Sequence, residues 1–459
     1  MAEVVIVGGG VAGLTAAFKI RQAGHRVRVL EARQAAGGGV RTIESEGFRM
    51  ETGPHGFMGS SEYVRRLARE LGIEGAIERA GDGARRRYIY RDGGLQPLPV
   101  DPVSFLRTRL LSVRGKLRLC MEPFIPGRGT EMETAWRFFC RRFGVEAAAY
   151  IVSPFVSGIY AGDIERLGAR AAFERFWRFE REAGSMILGA LKYMRAKRRR
   201  LAREGLKSER GLFSFRSGLG RLTSALAGSL EGCVETGARV ETLRRAGGRI
   251  GVRAGGHELA ADAVVLAVPP PSAAGILAGE LAGAAEDLRS IPMAPVALVH
   301  WTCPPEAFPF PSGFGFLVPR LYGLRILGTI FTSQLFADRA PAGSPLLSSF
   351  FGGMLDPERA AASDEELAAL IRSEHMRVLG RPAGKLRVLR VLRYPEAIPQ
   401  LLPDHPERIE RVRREGLRIP GLSLAGNYLT GVSLEHAVES GYRAAQDCLR
   451  FVGVQERRG

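Results

Sequence analysis

The stretch Val4-Val5-Ile6-Val7-Gly8-Gly9-Gly10-Val11-Ala12-Gly13 decides the fold. Four consecutive β-branched residues predict a short strand buried on both faces. The glycines follow at once in the pattern Gly8-x-Gly10-x-x-Gly13. Apolar residues then recur at Leu14, Ala17, Phe18 and Ile20, a helical spacing that Gly24 closes as a C-cap. Gly8 permits a tight turn, Gly10 lets the backbone approach a pyrophosphate, and Gly13 lets the helix pack close on the strand. The helix start adds free N–H groups and the positive end of the dipole. A second strand through Val27, Val29 and Leu30 ends in Glu31, 18 residues beyond Gly13, where a carboxylate meets a ribose 2′-OH. Strand, turn, helix and acid together specify a dinucleotide site rather than a plain glycine-rich turn.

The turn alone leaves FAD and NAD open. Two further features favour FAD. Gly37-Gly38 follow soon after Glu31, where a second pass of chain covers a pyrophosphate. Far along the chain, Gly426-Asn427 ends a strand and Gly431-Val432-Ser433-Leu434 precedes the last helix, a second helix start for the other end of a long cofactor. The expected fold class is α/β (α+β overall): a discontinuous Rossmann-like FAD-binding domain, a mixed-sheet substrate domain and a helical insertion. The expected boundaries are 1–45, 207–270 and 420–459 for the first, 46–100 and 271–419 for the second, and 101–206 for the insertion. Within the insertion, Thr130 and Glu133 read as a capping box, and Ser185 to Met194 is amphipathic and runs into Arg195-Ala196-Lys197-Arg198-Arg199-Arg200.

A chain of 459 residues exceeds one core and implies two or three domains. Lys plus Arg is 66 against 48 Asp plus Glu, a net charge of +18 that favours anionic partners. No nucleic-acid module is recognisable. The basic insertion suits an anionic lipid surface or is an ordinary soluble helical unit rich in arginine. The five cysteines are scattered, with no C-x-x-C pair, which argues against a disulfide framework or metal centre and for a reducing, cytoplasmic setting. The N-terminus reads as a strand rather than a signal peptide. No apolar run approaches the roughly 18 residues of a spanning helix, so any membrane contact is peripheral.

Several runs carry a resemblance: Glu51-Thr52-Gly53-Pro54-His55-Gly56, Arg86-Arg87-Tyr88, Ser157-Gly158-Ile159-Tyr160-Ala161-Gly162-Asp163, Gly313 to Pro319, Leu327 to Ser333, Tyr394 to Gln400, and Leu424-Ala425-Gly426-Asn427. On these the chain resembles the FAD-dependent amine oxidase superfamily, and more closely the oxygen-dependent protoporphyrinogen oxidases, nearly end to end. The resemblance implies FAD contacts at Gly8, Gly9, Gly10, Val11, Ala12, Gly13, Glu31, Ala32, Gly38, Gly53, Pro54, His55, Gly56, Val240, Asn427, Val432, Ser433 and Leu434. It implies a substrate carboxylate on Arg87, a backbone position beneath a tetrapyrrole at Gly158, and apolar walls at Leu317, Ile330 and Phe350. On the residues alone, those three read as core and Arg85-Arg86-Arg87 as a solvated basic strand. Ala35 and Gly39 depart from relatives, which carry basic or bulky residues there, and His55 stands where relatives carry Asn or Arg.

The activity implied is oxidation of protoporphyrinogen IX to protoporphyrin IX by oxygen, in three FAD-mediated two-electron steps that release hydrogen peroxide. The resemblance further implies a homodimer. Coproporphyrinogen III oxidation to coproporphyrin III, amine oxidation and flavin binding without turnover stand as alternatives. No acid–base set is evident, so the general base is unassigned and no metal is expected.

Overall fold

Strand Glu3–Val7 is the middle of a five-stranded parallel sheet in the computed structural model, which describes residues 1–203, 209–305, 311–380 and 386–456. The order is Val234–Thr236, Arg26–Glu31, Glu3–Val7, Ala263–Leu266, Leu422–Leu424. Val4 and Ile6 enter one core with the helices Val11–Gln22 and Leu434–Glu456. Val5 and Val7 enter a second core, with helices Pro270–Leu277 and Ala282–Arg289, on the other face. Both faces are covered, which is why this strand is a continuous apolar run. The first and last helices cross closely: a Cβ at Gly441 would lie 2.4 Å from the Ala12 carbonyl oxygen. The chain leaves Glu3–Val7 toward Arg26–Glu31 on one side, while Ala263–Leu266 flanks it on the other. Such a reversal opens a crevice at the carboxyl ends of the strands.

A second, mixed sheet has seven strands: Arg387–Pro399, Met293–Thr302, Leu347–Gly352, Gly328–Ile330, Gly315–Leu317, Arg87–Arg91 and Gly94–Pro97. The Gly315–Leu317 and Arg87–Arg91 strands are parallel and the other neighbours antiparallel. One face packs on helix Asp364–Leu379 through Trp301, Phe316, Phe351, Leu367 and Ile371. Its buried polar groups satisfy one another. Trp301 Nε1 donates to Ser349 Oγ (2.8 Å), Ser349 and Thr329 hydroxyls are 2.9 Å apart, and Thr329 Oγ1 meets His375 Nε2 at 3.0 Å. His375 Nδ1 then donates to the Ile371 carbonyl, so this histidine is structural.

Helices fill the expected insertion from Pro102–Arg107 to Met186–Arg203; residues 204–206, and 457–459 at the other end, lie outside the described residues. The capping box expected at Thr130 and Glu133 does not form. Helix Ala135–Phe143 starts later and is capped by Thr134, whose side chain accepts from Arg137 N–H. Glu133 instead pairs with Arg141 across two turns, 2.7 Å. The three-domain division given above remains our proposal. Within it, Val64, Leu67 and Ala68 of helix Glu62–Glu70 pack into the core beneath the parallel sheet. The strand Arg87–Arg91 lies in the seven-stranded sheet.

Candidate functional site

Gly8 takes φ +105°, and a Cβ there would lie 2.5 Å from the Ala267 carbonyl oxygen. Gly8 N–H donates to Leu30 O (2.8 Å), tying the turn to the second strand. Glu31 closes the turn from the side: its carboxylate accepts from Gly9 N–H at 2.7 Å and from Arg33 N–H at 2.8 Å. Each carboxylate oxygen retains acceptor capacity for a hydroxyl. The chain then returns: Gly37 N–H donates to Gly9 O (2.7 Å), and a Cβ on Gly38 would sit 3.1 Å from Gly10 Cα. Gly10 itself is different. It caps helix Val11–Gln22 without any side-chain capping bond, and a Cβ there would meet nothing within 4 Å. The first-turn N–H groups of Val11, Ala12 and Gly13 therefore face a cradle open to an anion, which fits a pyrophosphate.

The other residues expected at the cofactor gather at this edge of the sheet. Ala32 follows Glu31, and Val240 is buried just after Ala238, whose N–H donates to Glu31 O. The loop Thr52-Gly53-Pro54-His55-Gly56 docks on the glycine return, because a Cβ on Gly53 would lie 2.4 Å from the Gly39 carbonyl oxygen. Thr52 Oγ1 accepts from Arg41 N–H and anchors the same loop. Gly56 rests on the Phe213 carbonyl. Asn427 accepts from Gly431 N–H (3.1 Å), and Val432, Ser433 and Leu434 lead into the last helix, with Ser433 Oγ accepting from His436 N–H.

The five residues expected at the substrate converge as well. Arg87 pairs with Gly315, Gly315 with Ile330, and Ile330 with Ser348. In the next row Leu317 pairs with Gly328, and Gly328 with Phe350. Directly opposed and i, i+2 residues share a face, so Arg87, Leu317, Ile330 and Phe350 lie on one side. That side is away from the Phe316–Phe351 core, and all four are half-buried rather than core residues. Gly158, on helix Ser153–Tyr160, lies over this face: a Cβ there would meet Leu317 Cδ2 at 2.4 Å. Three strand spacings, roughly 14 Å from the Phe350 strand to that of Arg87, span about the width of one macrocycle. Arg85 and Arg86 are exposed, whereas Arg87 turns inward over the Phe314 ring at 4.9 Å. Burial pushes the Arg87 guanidinium below its usual value, and no carboxylate pairs with it among the described residues. The motif runs meet here too: Met354 N–H donates to Ala161 O, and Gln400 Nε2 donates to Tyr160 O.

Two buried groups were not legible as site residues. His300 lies on the same sheet face; its Nε2–H donates to the Glu51 carbonyl (2.9 Å), so Nδ1 accepts from Ser348 Oγ (2.9 Å). Burial lowers His300 to about 4. Glu51 is buried, accepting from Leu219 N–H and Thr42 Oγ1, with Arg339 Nε 3.5 Å away. Its only signal in the sequence is a carboxylate immediately before Thr-Gly-Pro. Burial raises its carboxyl to about 7, against the lowering effects of Leu219, Arg339 and Thr42. The folded state thus keeps a proton that the unfolded chain releases near its ordinary 4.5. Stability from this group is present at acid pH and is lost as pH rises through about 7. Glu51→Gln should therefore gain on the wild type between pH 5 and pH 8, by on the order of 2 kcal/mol. Urea midpoints across that range read it, and a pH-independent difference would refute it.

The chain matches the family model for flavin containing amine oxidoreductase over residues 11–449. It belongs to that family. It is 31% identical to the chloroplastic protoporphyrinogen oxidase of Nicotiana tabacum, over 98% of this chain and 86% of that one. It is 28% identical to the coproporphyrinogen III oxidase of Bacillus subtilis (strain 168), over 98% of each. Among solved structures, a putative protoporphyrinogen oxidase from Exiguobacterium sp. 255-15 superposes with a TM-score of 0.81 at 25% identity, covering 97% of this chain and 98% of that one. Reduced UDP-galactopyranose mutase shares the fold, with a TM-score of 0.73 at 14% identity. The protein is an FAD-dependent oxidoreductase of the amine oxidase fold.

Proposed function

We propose that this flavoenzyme oxidises protoporphyrinogen IX to protoporphyrin IX, with oxygen as the final acceptor and one hydrogen peroxide per two-electron step. The observation that carries the reading is the sheet face on which Phe350, Ile330 and Leu317 stand half-buried, with Arg87 turned inward at its edge. When bound, FAD supplies a hydride acceptor at N5 and passes the electrons to oxygen. In this proposal Gly8 to Gly13, Gly38 and Glu31 hold its pyrophosphate and ribose, and Gly53 to Gly56, Val240, Asn427 and Val432 to Leu434 line the rest. Arg87 holds a propionate in bidentate fashion. Leu317, Ile330 and Phe350 cover the apolar rings and exclude water, and Gly158 lets helix backbone approach them.

Coproporphyrinogen III is the rival substrate, because relatives under both names match this chain. It carries four propionates and needs more cationic anchors; only Arg87 of the three consecutive arginines turns inward, which favours the less anionic macrocycle. We expect kcat/KM for protoporphyrinogen to exceed that for coproporphyrinogen by at least about tenfold, and Arg87→Leu to lower it by roughly 10- to 100-fold, mostly through KM. Porphyrin fluorescence follows both. A preference for coproporphyrinogen would overturn the choice of substrate, and an Arg87→Leu enzyme with unchanged KM would remove the carboxylate role.

We also propose a peripheral contact with the cytoplasmic face of a membrane. No helix among the described residues is long and apolar enough to cross one. Helices Pro102–Arg107 and Val113–Cys120 and the turn after them instead expose Val103, Leu106, Val113, Leu117, Met121 and Phe124, the last 81% accessible. Arg107, Arg109, Arg114 and Lys116 lie among them. Apolar side chains within a basic surface suit an anionic bilayer. Co-sedimentation with phosphatidylglycerol vesicles should be strong at low salt and fall as salt rises; no sedimentation at low salt would sink the idea.

A further inference from the structure

Strand Gly94–Pro97 is the outer strand of the seven-stranded sheet, and a cavity of about 490 Å³ lies between its end and helix Pro102–Arg107. That is the size of a small-molecule site. Its walls include Gln96, Leu98, Asp101, Arg107, Thr108 and Arg109. Both sides are fixed. Gln96 pairs with Ile89 across the hairpin, and Leu98 N–H donates to Arg87 O at 2.8 Å. Thr108 is buried; its N–H donates to Ser104 O (2.9 Å) and its Oγ1 accepts from Leu110 N–H (3.2 Å). Neighbouring cations are engaged with the protein: Arg91 with Glu146 at 3.2 Å, Lys116 Nζ with Leu106 O at 2.7 Å, and Arg118 Nη1 with Arg142 O at 3.0 Å. Arg107 and Arg109 are not: both are exposed on the cavity wall, with no ion pair or side-chain hydrogen bond among the described residues. Two guanidinium groups on one wall repel each other until an anion sits between them. The same cavity holds a carboxylate, Asp101, which accepts from Ser104 N–H (2.9 Å) and Ser104 Oγ (3.0 Å) and keeps further acceptor capacity. Val100, Val103 and Leu106 stand exposed beside it.

We propose that this cavity binds the headgroup of one anionic phospholipid, a phosphodiester that carries hydroxyl groups, as phosphatidylglycerol does. The assignment rests on the membrane reading above and adds to it a discrete, saturable site. Arg107 and Arg109 hold the phosphate, whose oxygens a guanidinium fork matches. Asp101 and Gln96 accept the headgroup hydroxyls. The acyl chains leave past Val103 and Leu106 into the bilayer. The carboxylate sets the selectivity. It disfavours a phosphate monoester, which brings a second negative charge, by like-charge repulsion. Inorganic phosphate brings neither a hydroxyl-bearing arm for Asp101 nor chains for the apolar rim. Leu317 pairs with Ile89 and Ile89 with Gln96, so the cavity opens at the outer end of the sheet face that carries Leu317 and Arg87. A lipid seated there holds that end of the face at the bilayer surface.

The test titrates the flavin-loaded protein calorimetrically with monomeric dihexanoyl phosphatidylglycerol, dihexanoyl phosphatidic acid and glycerol 3-phosphate. The first should bind one to one, and at least about tenfold more tightly than either of the others. Arg107→Gln/Arg109→Gln should weaken it by at least about tenfold, whereas Arg114→Gln/Arg128→Gln, which removes the same charge outside the cavity, should stay within about twofold of wild type. All four arginines are exposed, so both variants should keep their flavin absorbance. Glycerol 3-phosphate binding as tightly as the lipid would make the cavity a site for soluble phosphate esters and overturn the lipid assignment. Phosphatidic acid binding as tightly would remove the selectivity assigned to Asp101. Equal losses in the two double variants would show diffuse attraction to charge and overturn the site. Sedimentation with phosphatidylglycerol vesicles but no one-to-one titration would overturn the site and leave the membrane reading standing. No sedimentation with those vesicles at low salt would overturn the membrane reading and the lipid assignment with it.

Discussion

Gly13→Ala should empty the protein of flavin and destabilise it, whereas Gly10→Ala should weaken flavin binding and leave stability untouched. At Gly13 a Cβ would fall 2.0 Å from the Gly8 carbonyl oxygen and 3.1 Å from the Ala267 side chain. The first is backbone in the turn itself, so helix Val11–Gln22 must back away from strand Glu3–Val7. Overpacking of this kind costs about 1–3 kcal/mol, and it moves the N–H groups that face the pyrophosphate. At Gly10 a Cβ meets no protein atom within 4 Å, so it can only occupy the space the phosphates need. We expect the flavin Kd of Gly10→Ala to rise about 10- to 100-fold, or roughly 1.4–2.8 kcal/mol, at an unchanged melting temperature of the apoprotein. Flavin fluorescence titration and calorimetry measure the two quantities. Equal losses of stability in both variants would show that the turn is a folding element and that its glycines are not shaped for a ligand.

The second large effect lies far from the cofactor loops. Arg142 and Glu122 are both fully buried in the helical region. Arg142 Nε donates to Glu122 Oε1 at 2.7 Å and its Nη groups donate to the carbonyls of Ile125 and Gly184, each at 3.0 Å. The same carboxylate accepts from Ser185 Oγ and from the N–H groups of Met186 (2.8 Å) and Ile187 (3.1 Å). Glu122 therefore acts as a distant cap for helix Met186–Arg203, where the dipole favours an anion. Burial alone would raise its carboxyl, but bonds from Ser185, Met186, Arg142 and Ile187 outweigh it and leave the carboxyl below its ordinary value. Arg142→Met strands that charge and should cost about 3–5 kcal/mol in urea unfolding. The double variant Glu122→Leu/Arg142→Met should cost clearly less than the sum of the single changes. Additive losses would mean that the pair does not act as a unit. The consequence reaches the site, because Phe138 and Phe139 of the Arg142 helix share a core with Val152 and Val156 beside Gly158. Loosening that core should raise substrate KM as well as lower stability.

The parallel sheet and the glycine turn were legible in the sequence because their determinants are local. Strand, turn, helix and Glu31 all fall within one short segment, and each residue type is required by a backbone conformation or close approach that its neighbours impose. Gly38 and the Gly53 loop were harder, since what they cover is set by a return of the chain onto Gly10. The capping box read at Thr130 and Glu133 failed because Thr134 offered an equally good cap one turn later and Arg141 supplied a partner for Glu133.

Which face of the seven-stranded sheet is lined, and by what, only the tertiary structure decided. Phe350 and Phe351 are adjacent in sequence and equally apolar, yet one faces helix Asp364–Leu379 and the other the opposite side. The pleat sends successive side chains to opposite faces, and the register with strands from distant parts of the chain selects which face is the core. The same register turns Arg87 inward and leaves Arg86 in solvent. It also seats His300 against Glu51 and leaves His55 Nε2 without a partner. Sequence alone determined the strand, glycine turn and helix at Gly8 to Gly13, our proposed dinucleotide cradle, because local backbone geometry demands those residues; what faces that cradle depends on long-range pairing, which no local pattern encodes.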